Sequence, residues 1–236
     1  MADYYYYDQN GSSSGGGFLS SLPTVTKNLI IINVLVFLMT IIRKQFMFEN
    51  FALFYPTSAY FHWWQYITHM FMHGGFWHIF FNMYTLLIFG CVVERIIGSK
   101  KFLIFYFVCG LGAAALHTGV EYLQATSYMN ALADGSLQAA ESYARLKLTP
   151  TVGASGAIYG IILAYAMLFP QSRLTLLFPP VSLSAKWMVI IFAGIELITG
   201  VTGTADGVAH FAHLGGMLFG WMLIKYWRNK GTLFDR

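Results

Sequence analysis

Six stretches of the chain are long, apolar and almost free of charged residues, and polar segments separate them. A helix needs about 20 such residues to cross the hydrocarbon core of a bilayer, with a range of about 17 to 25. The pattern therefore predicts an all-α membrane protein built as a bundle of six transmembrane helices. The predicted spans are residues 28–42, 76–93, 102–120, 148–172, 187–205 and 207–224.

The segments outside these spans divide the chain further. Residues 1–27 are rich in Tyr, Ser and Gly, which predicts a flexible N-terminal tail and not a secretory signal. We expect residues 28–230 to form the six-helix membrane domain and residues 231–236 a short cytoplasmic tail. Two connectors on the outer side, residues 43–75 and 121–151, are long, and long loops are more often functional than idle.

The distribution of positive charge predicts an orientation. With six spans, ten of the 14 Lys and Arg residues fall on the side that holds both termini, and four fall on the other side. Cytoplasmic loops carry an excess of Lys and Arg, so both termini are predicted to be cytoplasmic. We expect an integral, multi-pass protein of a bacterial inner membrane, with the lipid bilayer as a partner.

Composition supports the same fold class. Hydrophobic residues make up 57% of the chain and charged residues 10%, against about 25% charged residues in a soluble domain. This balance excludes a disordered chain, a nucleic-acid-binding arm and most soluble enzymes, so no nucleic acid is expected as a partner. Cys91 and Cys109 lie inside apolar stretches and are predicted to be small buried hydrophobic residues.

Polar residues at membrane depth mark candidate functional sites, because leaving them unpaired in hydrocarbon is costly. Ser155 lies in the sequence Gly153-Ala154-Ser155-Gly156 at the start of the helical part of the fourth span. Taken alone, this pattern is more typical of helix packing, since small residues such as Gly156 and Gly160 let a neighbouring helix approach closely.

His213 in the sixth span changes that interpretation. Gly216 and Gly220 follow it by three and seven residues, so the three share one helix face, where a neighbour can come close. A serine hydroxyl becomes a good nucleophile when a base takes its proton. A glycine-faced helix with Ser155 beside a glycine-faced helix with His213 meets that requirement, and we favour chemistry over packing.

Four more polar residues lie on the second span or just before it. His78 and Asn82 are four residues apart and share a helix face, where both could stabilise an oxyanion; a packing pair is the alternative. His69 and His73 have the same spacing just before the span. A metal site among the histidines is not favoured, because no acid or Cys on the outer side is near them and H-E-x-x-H is absent.

Together these residues resemble the rhomboid family of intramembrane serine proteases, over about residues 28–230. The resemblance implies the compact six-helix form found in bacteria, with a Ser-His dyad that lacks a carboxylate. Ser155 matches the nucleophile and His213 the general base and acid. The remaining matches support this dyad: His78 and Asn82 at the oxyanion, Gly153 before the nucleophile, and Tyr159 on the catalytic imidazole.

Two features depart from the family pattern or stay open. Gln65, after Trp64, replaces an Arg that many members carry, which puts the stability of the first outer loop in question. Glu196 in the fifth span is left open between a protonated, a paired and a water-facing state. His69 and His73 match histidines that are structural in the family.

The function implied by the resemblance is an endopeptidase that cuts transmembrane protein substrates within or next to their membrane spans, without a cofactor. Substrate access is expected to be lateral, past the second and fifth spans. His210 is the rival of His213, which we prefer because its glycines match the family pattern. Two alternatives stay open: a non-catalytic rhomboid-like protein that binds membrane clients, and a transporter or channel with a histidine proton relay.

Overall fold

The computed structural model describes Gly17 and residues 20–175, 180–202 and 207–235. Within those residues the chain forms nine α-helices, a 3₁₀ turn at His69–Phe71 and one two-stranded antiparallel hairpin. The elements are α1 (Thr24–Ile42), α2 (Lys44–Phe51), α3 (Gln65–Thr68), α4 (Phe76–Ile97), α5 (Ser99–Ala133), α6 (Leu137–Leu148), α7 (Ser155–Leu168), β1 (Arg173–Thr175), β2 (Ser182–Ser184), α8 (Ala185–Thr202) and α9 (Gly207–Asn229).

The helices fit an integral membrane protein. Four of them, α1, α4, α5 and α8, are long and apolar enough to cross a bilayer. Helix α7 is apolar but has only 14 residues, and α9 has 23 residues and carries the two histidines of the predicted sixth span. The all-α membrane fold is confirmed, and the count of six spans stays a prediction.

Helices α5, α7 and α9 pack together at the centre of the bundle. Their buried side chains include Phe105 and Cys109 of α5, Ile161 of α7 and Ile224 of α9. Cys91 and Cys109 are both free and buried, as predicted. Large apolar side chains on α1 and α8 remain exposed outside this core, which suits helices that face lipid.

Glycines set the distance between α7 and α9. A Cβ added at Gly216 would overlap the carbonyl oxygen of Gly156, and one added at Gly160 would lie 2.9 Å from the carbonyl oxygen of Gly216. The two backbones are therefore in direct contact, as small residues allow in membrane helices. This contact places Ser155, one residue before Gly156, beside His213, one turn before Gly216.

The second long connector, residues 121–151, is mostly helical. Helix α5 continues through it to Ala133, and after a turn at Gly135, where φ is +88°, α6 begins with the Ser136 side chain accepting from Ala139 N. Polar residues here mark where the helix leaves the apolar region, not where it ends, since Glu, Gln, Leu and Ala all favour helix.

The first connector, residues 43–75, is an ordered and packed segment. Gln65 is fully buried in it, and its side-chain oxygen accepts hydrogen bonds from Phe54 N at 3.3 Å and His62 N at 3.1 Å. Its Nε2 donates to the carbonyl oxygens of Tyr60 at 2.8 Å and Glu49 at 3.3 Å. Gln65 thus braces the loop from inside.

Candidate active site

The turn before α7 presents Ser155 as the first residue of the helix. Gly153 has φ of +135°, a conformation that residues with a side chain rarely adopt. A Cβ at this position would also lie 2.9 Å from Nε2 of His78. Glycine is needed here for both reasons, and it lets the backbone turn sharply beside the His78 ring.

Backbone hydrogen bonds hold this turn against the first outer connector. Thr151 and Leu53 exchange two of them, at 2.8 and 2.9 Å, and Gly153 N donates to the carbonyl oxygen of His69 at 2.9 Å. The Nδ1 atom of His69 in turn lies 2.8 Å from the carbonyl oxygen of Gln65. The braced connector therefore supports the segment that carries Ser155.

His213 lies next to Ser155, as the glycine pattern predicted. Its Nε2 is 2.9 Å from Ser155 Oγ, within hydrogen-bond distance. Its ring stacks on the Tyr159 ring, with centroids 4.1 Å apart and planes inclined by 6°. The stacking limits rotation of the imidazole, so its Nε2 stays directed at the hydroxyl.

Glu196 of α8 lies against both histidines of α9. Its Oε1 is 3.0 Å from Nδ1 of His213, and its Oε2 is 2.5 Å from Nδ1 of His210. Only 6% of the residue is exposed, although its neighbours Ile195 and Leu197 are each 51% exposed. The expectation that no acid is near the histidines is wrong, and of the three states left open for Glu196 the structure shows the paired one.

The two predicted oxyanion residues, His78 and Asn82, line the same cleft as Ser155. His78 is in contact with the Gly153 turn through Nε2, and its Nδ1 accepts from Gly74 N at 3.4 Å. Asn82 is nearly buried, and its Nδ2 donates to the carbonyl oxygen of His78, one turn earlier, at 2.8 Å. All six residues predicted for the site therefore belong to one cluster.

Comparison with known proteins agrees with this arrangement. A family model described as the rhomboid domain matches residues 60–230, most of the chain. The chain belongs to the rhomboid family.

Curated relatives are similar over about two thirds of this chain. It is 28% identical over 165 residues to the rhomboid protease AarA of Providencia stuartii. It is 29% identical over 162 residues to the mitochondrial rhomboid protein 1 of Saccharomyces cerevisiae and 30% identical over 175 residues to the mitochondrial presenilin-associated rhomboid-like protein of Bos taurus. The matches cover 67%, 66% and 69% of this chain, but only 53%, 40% and 39% of those relatives.

The rhomboid site opens into a cleft of about 450 Å³ between α4 and α8. Its walls include Trp77 and Asn82 of α4, Ser155 and Tyr159 of α7, and Phe192 of α8. A second, smaller cavity of about 40 Å³ lies on another side of Ser155, where His69, His117 and Thr151 supply polar groups. Polar cavities of that size are large enough for water.

His69 and His73 lie beside this rhomboid site and are not part of its reactive group. Burial lowers the pKa of His69 to about 4. Burial, and secondarily the neighbouring His78, lowers the pKa of His73 to about 4 as well. Both rings are therefore neutral at physiological pH, which fits the packing role that the resemblance implied.

Glu196, His210 and His213 are also the group in the described part of the chain that could coordinate a metal, since their ligand atoms all lie within 4.8 Å of one another. Ligand atoms bonded to a tetrahedral zinc at about 2.0–2.1 Å are separated by roughly 3.3 Å. The 2.5 Å between His210 Nδ1 and Glu196 Oε2 is too short for two ligands of one such zinc, and it is closer to the length of a charge-assisted N–H···O hydrogen bond, about 2.7–2.9 Å. The geometry fits a hydrogen bond between these two side chains better than a shared metal.

Proposed function

We propose that this rhomboid-family protein is an intramembrane serine endopeptidase, which cuts transmembrane protein substrates within or next to their membrane spans. The observation that carries the proposal is the 2.9 Å contact between Ser155 Oγ and His213 Nε2. A nucleophile within hydrogen-bond reach of a base is the arrangement that covalent catalysis by serine requires.

In the proposed reaction His213 takes the proton from Ser155 as Oγ attacks the scissile carbonyl carbon. The negative charge on the substrate oxygen is stabilised by the Ser155 backbone N–H and by His78 and Asn82, which line the cleft together with Ser155. His213 then protonates the leaving amine. Water, activated by the same imidazole, hydrolyses the acyl-enzyme and restores Ser155.

The position of the cleft supports access from the side of the bundle. Trp77 and Phe81 of α4 and Phe192 of α8 flank it, so a substrate helix in the bilayer could approach between these two helices. Peptide bonds in a helix are shielded, so the substrate must unwind locally before attack. We therefore expect helix-breaking or small residues near the cleavage site.

The setting of the enzyme is part of the proposal. With six spans, the excess of Lys and Arg on the side that holds both termini supports cytoplasmic termini, and we place the protein in a bacterial inner membrane. Ser155 and the outer connectors then face the opposite side. Residues 28–230 form the membrane domain in this arrangement, between an N-terminal tail and a short C-terminal tail.

The test is cleavage of a transmembrane substrate in proteoliposomes by wild type, Ser155→Ala and His213→Ala. Both variants should lose activity by at least about 1,000-fold, because each lacks one partner of the proton transfer. Ser172→Ala is the matched control, since its hydroxyl bonds the carbonyl oxygen of Phe169 beyond the far end of α7. This variant should cleave like wild type.

Labelling with a fluorophosphonate separates the enzyme from a non-catalytic client-binding protein. Wild type should be labelled at Ser155, and Ser155→Ala should not. Folded wild type that neither cleaves nor becomes labelled would overturn the proposal and favour client binding. Ion flux through proteoliposomes that persists in Ser155→Ala would instead favour a transporter or channel.

A further inference from the structure

We propose that Glu196 is a positioning residue for His213, and that His210 holds Glu196 in place. The reactive group is then a Ser155–His213–Glu196 triad and not a dyad, and His210 contacts the carboxylate from the other side. This inference rests on the proposed protease function and adds to it the group that orients the base.

The first step of the argument is the tautomer of His213. An ionised carboxylate can only accept hydrogen bonds, so Nδ1, at 3.0 Å from Glu196 Oε1, must carry the ring proton in the neutral imidazole. Nε2 then has a free lone pair, which is what it needs to take the proton of Ser155. Without an acceptor at Nδ1, the proton could equally sit on Nε2 and block the reaction.

The second step is that Nδ1 of His213 is buried. It faces Glu196, and among the described residues it has no aligned hydrogen-bond partner. A buried ring nitrogen with one nearby carboxylate oxygen has little choice of partner. Catalytic hydrogen bonds are often poorly aligned before substrate binds and tighten in the complex, so a small shift of α8 or α9 would complete this one.

The third step concerns what fixes the carboxylate. Oε2 of Glu196 is 2.5 Å from His210 Nδ1, and the Tyr159 hydroxyl also interacts with this carboxylate. With its second oxygen held, Oε1 is restricted to positions near His213. Two side chains thus restrain a carboxylate that would otherwise be free to rotate on an outer helix of the bundle.

The fourth step is the charge that develops during the reaction. When Nε2 takes the serine proton, His213 becomes an imidazolium ion next to the Glu196 carboxylate in a poorly hydrated site. Opposite charges attract strongly there, which stabilises the ion as it forms. Removing the carboxylate charge should therefore slow the chemical step more than it weakens substrate binding.

The variants that test this are Glu196→Gln, which keeps the shape and removes the charge, and Glu196→Asp, which keeps the charge and shortens the side chain. Both variants are measured as the detergent-solubilised full chain. Relative to wild type, we expect Glu196→Gln to lower kcat by about 100-fold and to change KM less than threefold. Glu196→Asp should recover at least a tenth of wild-type kcat.

The pH profile of kcat/KM distinguishes positioning from a purely structural role. A neighbouring negative charge favours the protonated imidazole, so its loss in Glu196→Gln should move the acid limb of the profile to lower pH. A role in packing alone would leave that limb in place. Four other groups also face the His213 ring, and they are the same in wild type and in Glu196→Gln: Ser155 and Tyr159 of α7, His78 of α4 and His210 of α9.

His210→Ala and Thr202→Val complete the set. His210→Ala should lower kcat by about 10-fold, because it frees the second carboxylate oxygen without removing the first contact. Thr202→Val is the matched control on α8: its hydroxyl bonds the carbonyl oxygens of Ile198 at 2.9 Å and Thr199 at 3.4 Å, and its loss should leave kcat and the pH profile unchanged.

Three results would overturn the inference. In the first, Glu196→Gln retains wild-type kcat and the wild-type acid limb while Ser155→Ala is inactive. The protease function would then stand without the role of Glu196. Equal loss in Glu196→Gln and Glu196→Asp, with a fall in melting temperature, would indicate a structural role. Loss of wild-type activity in EDTA, restored by zinc, would make the cluster a metal site.

Discussion

The imidazole of His213 lies flat on the ring of Tyr159, with centroids 4.1 Å apart and planes inclined by only 6°. The contact is made by the face of the Tyr159 ring and does not involve its hydroxyl group. Tyr159→Phe keeps the stacking and loses only the hydroxyl contact with Glu196, so kcat should fall by less than about 10-fold. Tyr159→Leu should lower kcat by about 10- to 100-fold, because the imidazole can then rotate away from Ser155. Steady-state cleavage kinetics check this. A Tyr159→Leu enzyme with wild-type kcat would show that stacking does not orient the base.

The contact between α7 and α9 leaves no space for a side chain at Gly216. A methyl group there would overlap the carbonyl oxygen of Gly156, so Gly216→Ala must push the two helices apart. We expect it to destabilise the protein by about 1–3 kcal/mol and to abolish cleavage, because Ser155 and His213 separate together with the helices. The measurements are the melting temperature in detergent and the rate of cleavage.

Gly119 of α5 is the matched control for that substitution. An added methyl group there would have no atom within 4 Å, and alanine favours helix over glycine by about 0.5–1 kcal/mol. Gly119→Ala should therefore raise the melting temperature slightly and leave activity unchanged. If both variants behave alike, close approach at Gly216 does not determine the geometry of the site.

Gln65 makes four hydrogen bonds to backbone groups of the first outer connector. Gln65→Leu would leave buried groups such as Phe54 N and Tyr60 O without a partner, which should cost about 2–4 kcal/mol of stability. Gln45→Ala, which removes one exposed contact to Glu49, should cost less than about 0.5 kcal/mol. Denaturant unfolding in detergent micelles compares the two. Equal effects would mean that Gln65 does not brace the connector.

His69 and His73 should make stability depend on pH. Their folded-state pKa values of about 4 lie below the ordinary value of 6.5, so the unfolded chain binds protons more readily than the folded one. Their contribution to the free energy of unfolding is complete above pH 6.5 and is lost as the pH falls from 6.5 towards 4. Unfolding measured across this range should show the loss, and His69→Gln should show a shallower dependence. A flat profile in wild type would contradict the prediction.

The central part of this fold could be predicted from local patterns. Hydrophobic length alone located the helices that became α1, α4, α5 and α8, and the glycines three and seven residues after His213 indicated which face of α9 meets α7. These features depend on residues close together in the chain. The full length of α5 was missed because hydropathy marks the end of a membrane span, whereas the helix continues in good helix formers.

The contacts of Glu196 and Gln65 depend on residues far apart in the chain, and local patterns do not show them. One signal for Glu196 was nevertheless present. Glu196 and His213 lie equally far in sequence from the middle of the short connection between α8 and α9, and antiparallel helices bring such positions level with each other. No similar signal exists for Gln65, because its partners belong to an irregular loop.

The paired hydrogen bonds between Leu53 and Thr151 also have a consequence for how the protein assembles. Helices α3, α4, α5 and α6 all lie between these two residues, so forming the pair closes a loop that contains four helices. Closing so long a loop is costly in chain entropy, which makes it a late event. Because this pair supports the turn that presents Ser155, a half-assembled chain would not yet hold Ser155 beside His213. The geometry around Ser155 is therefore completed last, after the rest of the bundle has formed around it.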